Sequence, residues 1–261
     1  MGWVTEVIVK TFEEAPLLLR VLAVSSIPAV MTAIGSIPVL LGSKMSERAR
    51  DTSMGFAAGV MLVASFTSLL IPAVESGGPL SATLGFLLGA ALIKGFDAAL
   101  PHFHWVKGME GPHKQIKKEL LVALAMVVHN IPEGMAVGAA ATRNLADGLV
   151  IALAIGMQDV PEGLAVALPL VPGKGSLLAF SVGIMSGVAE ALSALIPPLI
   201  VEHVEAALPF TSALAAGAMI YVVVHEVVPE IYGHEHDEPS TIGFFAGFIG
   251  MLLLDTLLSA G

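Results

Sequence analysis

Residues 127–138 read VVHNIPEGMAVG, and residues 156–167 read GMQDVPEGLAVA. The two stretches are variants of one pattern. Each carries a polar pair, one spacer and Pro-Glu-Gly, inside strongly apolar sequence. On a helix His129 and Glu133 are i,i+4 and Asn130 and Glu133 are i,i+3, so the three share a face. Gln158, Asp159 and Glu162 repeat that geometry. Polar groups are costly in such surroundings, so their recurrence asks for a purpose.

Composition sets the solvent. The chain has 261 residues, 56% hydrophobic and 13% charged, with a mean hydropathy of +0.86. A soluble domain is nearer ~25% charged. A net charge of −10 excludes nucleic acid as a partner, because that needs basic patches. It suits cations, while the apolar composition calls for a lipid bilayer as solvent. No cysteine is present, which removes disulfides and thiolate metal sites. The opening MGWVTEVIVKTFEEAP has acids where a signal peptide would be basic. Residues 1–15 read instead as an amphipathic helix on the membrane surface.

A crossing helix needs roughly 20 apolar residues. Eight segments qualify: 16–42, 53–74, 78–101, 117–142, 145–170, 175–201, 205–232 and 240–259. The connections GSKMSERARD, ESGG, TRNLADG and VPGKG read as turns, and 102–116 as the longest loop. The expected fold is all-α and integral to the membrane, one compact helical domain over 1–261 with no soluble domain. Eight of the loop cations (Lys44, Arg48, Arg50, Lys107, Lys114, Lys117, Lys118, Lys174) fall on one side, against Lys10, Arg20 and Arg143 on the other. The positive-inside rule then puts both termini outside and the 102–116 loop in the cytoplasm. The pairs Gly55/Gly59, Gly85/Gly89, Gly183/Gly187 and Gly243/Gly247 predict close helix packing.

The two motifs sit near the centres of the fourth and fifth spans. A short outer loop makes these spans antiparallel neighbours, so the motifs meet near the midplane. Each charged residue there costs at least ~2.5 kcal/mol on insertion scales. Neither motif contains Lys or Arg, so a divalent cation is the expected counter-charge. Oxygen and imidazole ligands fit zinc, manganese or iron(II). Pro132 removes the donor for the Val128 carbonyl, and Pro161 that for Met157. Broken helices of this kind line polar cavities in transporters.

Other intramembrane polar residues are read more openly. Glu190 is either a further ligand or an interhelical hydrogen-bonding acid. The HEVVPE stretch places His225, Glu226 and Glu230 around another proline, as a second station, a gate or a structural element. Asp97 is a pathway acid or merely the i,i+3 partner of Lys94. Glu75 and Asp255 attract cations at helix ends or are simply solvated, and Met61 is a ligand or packing. His102, His104 and His113, with His234 and His236, are either cytoplasmic metal-capture groups or ordinary loop polarity.

The HNIPEG and PEG signatures, the eight spans and the histidine-bearing loop resemble the ZIP (Zrt/Irt-like) family of divalent-metal transporters, in its compact bacterial form. That resemblance implies a 3+2+3 helix arrangement with an inverted pseudo-repeat. It implies one metal on His129, Glu133, Gln158 and Glu162, and a second on Asn130, Glu133, Asp159, Glu162 and Glu190, with Glu133 and Glu162 bridging. Glu226 corresponds to an acid beside the pathway, with His225 next to it, while Met61, Glu75 and Asp255 match the outer route more loosely. Many members carry His where Gln158 stands, so the first position is expected to bind less selectively. The resemblance further implies inward transport of Zn²⁺, or Cd²⁺, Fe²⁺ or Mn²⁺, at a bacterial inner membrane, with no prosthetic group and with a homodimer left open. An intramembrane metalloprotease is the enzyme alternative; it needs H-E-x-x-H, and HEVVP fails at its last position. A channel, a sensor or an exporter is not separated from a carrier by sequence.

Overall fold

The computed structural model describes residues 15–42, 45–99, 102–104, 108–110, 118–171, 175–203, 207–232 and 237–259. Helix dominates. In chain order the helices are α1 (Leu17–Ser36), α2 (Glu47–Val63), α3 (Ile71–Ala99), α4 (Lys118–Arg143), α5 (Leu145–Ala167) and α6 (Ser176–Ser193). They continue with α7 (Ile196–His203), α8 (Leu208–Val222), α9 (Val228–Ile231) and α10 (Asp237–Ser259). π-Helical turns at Ala64–Leu70 and Val223–Val227 join α2 to α3 and α8 to α9.

Five stretches are long and apolar enough to cross a membrane: Leu17–Leu41, Glu47–Phe96, Ser176–Val201, Leu208–Val227 and Asp237–Leu257. The second is 50 residues long, which a straight helix would extend to about 75 Å, over twice the apolar thickness of a bilayer. The chain turns at Gly78, whose φ of 78° and ψ of 161° lie in a region essentially closed to residues with a side chain. Many exposed residues are themselves apolar: Leu80 and Leu177 are each 73% exposed and Leu257 72%. Such a surface belongs in lipid.

Several expected boundaries shift. α2 begins at Glu47 rather than 53, because Ser46 caps it by accepting from the Ala49 N–H at 3.2 Å. Arg48 and Arg50 are therefore helical rather than in a turn. The expected TRNLADG turn shrinks to Asn144, whose side chain accepts from Asp147 N–H and starts α5 directly after Arg143. The sixth span is interrupted between Ser193 and Ile196, just before Pro197 and Pro198. Part of the expected 102–116 loop is a small antiparallel hairpin, His102–His104 (β1) with Gly108–Glu110 (β2). The expected helix over 1–15 and residues Lys44, His113, Lys174, His234 and His236 lie outside the described residues, apart from Ala15.

Glycines decide which helices touch. A Cβ on Gly35 would lie 2.1 Å from the Val160 carbonyl oxygen, and one on Gly163 2.5 Å from that of Thr32, so α1 and α5 meet backbone to backbone. Gly134 and Gly138 of α4 abut the carbonyls of Glu190 and Ala194 at the end of α6, and Gly187 of α6 abuts Ala29 of α1. Elsewhere Gly55 and Gly59 of α2 interlock with Gly243 and Gly247 of α10, while Gly85 and Gly89 of α3 interlock with Gly217 of α8. The contacts of these glycines form three groups, α1/α4/α5/α6, α2/α10 and α3/α8; the π-turn between α2 and α3 joins the last two into a second set. Across the boundary, α2 packs on α5 and α8 on α4.

Candidate metal-transport site

The site forms where α4 crosses α5. Asn130, Glu133, Gln158 and Asp159 are buried, Glu162 is partly so, and Glu190 of α6 is buried beside them. Glu133, Asp159 and Glu162 each bring a carboxylate oxygen within 4.8 Å of the other two. Glu190 lies close enough to interact electrostatically with all three. The glycine after each motif glutamate makes this possible. Gly134 admits α6 with Glu190, and Gly163 admits α1 with Thr32.

Hydrogen bonding leaves most of these oxygens open. Gln158 donates through Nε2 to Glu133 Oε1. Asn130 Oδ1, Glu133 Oε2, Gln158 Oε1 and Asp159 Oδ2 are buried without a hydrogen-bond partner. Both oxygens of Glu190 also lack a hydrogen bond of good geometry, with Thr32 and Asn130 as polar neighbours. Buried acceptors are normally satisfied. Two ionised carboxylates with oxygens within 4.8 Å of each other repel by at least about 3–4 kcal/mol at an effective dielectric near 20. An acceptor-rich, donor-poor cage of this kind fits a cation, which neutralises several oxygens at once. The oxygen donors suit zinc and harder divalent ions.

The predicted residues divide clearly. Asn130, Glu133, Gln158, Asp159, Glu162 and Glu190 come together. His129 is on α4, one turn before Glu133, with its side chain outside the described residues; the same holds for Asp97 on α3 and for the side chains of His102 and His104. His225 and Glu226 lie in the π-turn after α8, in the other helix set. Glu226 is buried there, and the half-buried His225 ring packs edge-on against Tyr221 with centroids 4.9 Å apart. Met61 is wholly buried in the core of α2. Asp255 accepts from the Ser68 hydroxyl at 3.0 Å, and Glu75 is exposed near the Gly78 break.

Sequence reasoning missed Thr32. It is buried on α1, donates to the Pro28 carbonyl at 3.0 Å and lies against Asp159 and Glu190. The available signal was weak: a Thr and a Ser one turn apart, in a run of small apolar residues.

The chain is also similar to known proteins along most of its length. The family model described as "ZIP Zinc transporter" matches residues 107–255. "Zinc transporter ZIPB" of Bordetella bronchiseptica is 42% identical over 87% of this chain and 77% of its own length. "Zinc transporter GufA" of Myxococcus xanthus is 36% identical over 91% of this chain and 98% of its own. "Zinc transporter ZupT" of Escherichia fergusonii is 35% identical over 94% of this chain and 98% of its own.

Proposed function

Because the chain belongs to the ZIP family of zinc transporters, a family of multi-pass membrane proteins and not of enzymes, we propose that it carries divalent cations, zinc foremost, through the α4–α5 cage. The observation that carries this reading is the cluster of buried oxygens without donors. The proposed direction is into the cytoplasm, and the proposed location is a bacterial inner membrane.

One ion is held by His129, Glu133, Gln158 and Glu162, and a second by Asn130, Glu133, Asp159, Glu162 and Glu190. Glu133 and Glu162 are shared. To offer oxygen to a cation, the Gln158 amide turns over from the orientation in which it donates to Glu133. Oxygen ligands hold zinc less firmly than thiolates, and a carrier must release its cargo. Glu75, Met61 and Asp255 mark the outer approach; Asp97, His102, His104 and His113 receive the ion inside, with His225 and Glu226 beside the route. Cadmium, iron(II) and manganese(II) fit the same oxygens.

We further propose eight crossings in a 3+2+3 arrangement with both termini outside. Its support is a paired pattern of contacts. Under an exchange of α1 with α6, α2 with α8 and α3 with α10, the contact of α1 with α5 maps onto that of α6 with α4. The contact of α2 with α10 likewise maps onto that of α8 with α3. Both α2 and α8 also run into π-turns. Alternating access follows as the α1/α4/α5/α6 set moving against the α2/α3/α8/α10 set. The freed Val128 and Met157 carbonyls line the moving side of the path.

Zinc uptake into proteoliposomes tests the reading, with Glu133→Ala and Glu162→Ala beside the native protein. Saturable uptake by the native protein, lost in both folded variants, is expected. Uptake undiminished in the variants would move the pathway away from the cage.

A further inference from the structure

Arg143 ends α4 in a position that the cage does not explain. Its Nε donates to Asp147 Oδ2 at 2.6 Å, one turn into α5. Its Nη2 donates to the Ser68 backbone carbonyl at 2.8 Å. Ser68 belongs to the π-turn after α2, so this bond crosses from the α1/α4/α5/α6 set to the α2/α3/α8/α10 set.

The sequence explains why that carbonyl is open. Pro72 stands four residues after Ser68 and has no N–H to give it. Arg143 supplies a charged donor in its place. The Ser68 hydroxyl meanwhile donates to Asp255 of α10 at 3.0 Å, which fixes the turn that presents the carbonyl. Asp147 is itself held by Asn144 Nδ2 at 2.8 Å, so the guanidinium is clamped on both sides. Pro72, Gly77, Arg143 and Ser212 line one cavity of about 680 Å³ at this end of the bundle.

We propose that Arg143 is a positioning residue for transport: a latch that holds the two helix sets together at the α4–α5 end and so sets how often the path opens there. The proposal rests on the transport reading above. The guanidinium fork matters, because one planar group reaches a carboxylate and a carbonyl together. An ammonium at the same place has three donors but no fixed fork, and its flexible stem holds the two acceptors less firmly.

The chain has no native cysteine, so a single Ser65→Cys reports the state of the latch. Ser65 is buried one turn before Ser68. Its maleimide labelling is measured in proteoliposomes of the full chain, alone and with Arg143→Lys. Labelling is expected to rise roughly tenfold, equivalent to about 1.4 kcal/mol of lost closure. The apparent KM for zinc uptake should shift in step, since binding is scaled by the population of the open form. Ser25→Cys, buried between α1 and α6, should label at an unchanged rate. Where Arg143→Lys does not fold, Pro72→Ala tests the same contact by returning a helical donor to Ser68, and the same rise is expected.

Unchanged labelling at Ser65→Cys, or a parallel rise at Ser25→Cys, would overturn the latch. Native vesicles that take up no zinc would instead sink the transport reading, while the labelling comparison still decides the latch.

Discussion

Replacing Glu190 by glutamine should make this protein more stable and worse at its task. An ionised carboxylate at the centre of a membrane helix costs at least ~2.5 kcal/mol. Here neither oxygen has a well-formed hydrogen bond, and three other carboxylates are close by. The amide of Glu190→Gln has nearly the same shape and no charge. Its own unpaired groups cost about 1 kcal/mol, which leaves a net gain of about 1–2 kcal/mol. For a chain near this size each kcal/mol moves the melting temperature by roughly 2–4 °C. In detergent at pH 8 with a chelator, Glu190→Gln should therefore melt about 2–8 °C above the native protein. Zinc should reverse the order. An ion at a hundred times its Kd stabilises the folded state by about 2.7 kcal/mol, and on the proposed ligand set the variant loses one carboxylate oxygen donor. Thermal melts with chelator and with zinc measure both quantities. A variant that melts below the native protein in chelator would refute the reasoning, because Glu190 would then be a structural acid.

Other expectations follow from the helix contacts. Gly89→Leu drives a side chain into the Leu214 carbonyl, 1.9 Å from its Cβ, and should lower yield and melting temperature sharply. Gly95→Ala, with nothing within 4 Å, should be neutral or gain up to ~1 kcal/mol by the same melt. Gly78→Ala places a side chain at a φ of 78° and should cost about 1–3 kcal/mol, seen as an earlier melt with zinc binding retained. Ser68→Ala removes the donor to Asp255 and should lower stability by about 1 kcal/mol. A melt unchanged by Ser68→Ala would show that this hydrogen bond contributes nothing.

The membrane setting and the residues that form the cage were legible in the sequence for a physical reason. In an apolar chain each charged residue is expensive, so six polar residues in two matching motifs stand out without any coordinates. Spacing placed Asn130 with Glu133 and Asp159 with Glu162, since i,i+3 neighbours must share a helix face. The glycine pairs announced close packing, but not which helix each would meet. That depends on tertiary structure: Gly55 faces α10 and Gly85 faces α8 because whole helices fit there, and no local pattern names the partner. Boundaries failed where side chains decide them. Ser46 capping moved the start of α2, and Asn144 compressed an expected turn to one residue.

Thr32, Ser68 and Arg143 were invisible in their roles. A threonine among small residues has no local reason to sit beside Asp159, and a loop arginine looks like topology alone. The carbonyl that Arg143 caps is created by Pro72 at a point 75 residues away in sequence. Composition and spacing, being local costs, are written along the chain and told where this protein resides and which polar residues gather inside it. Which helices lock into one body, and what latches one body to the other, arises between distant segments, and only the tertiary structure decided it.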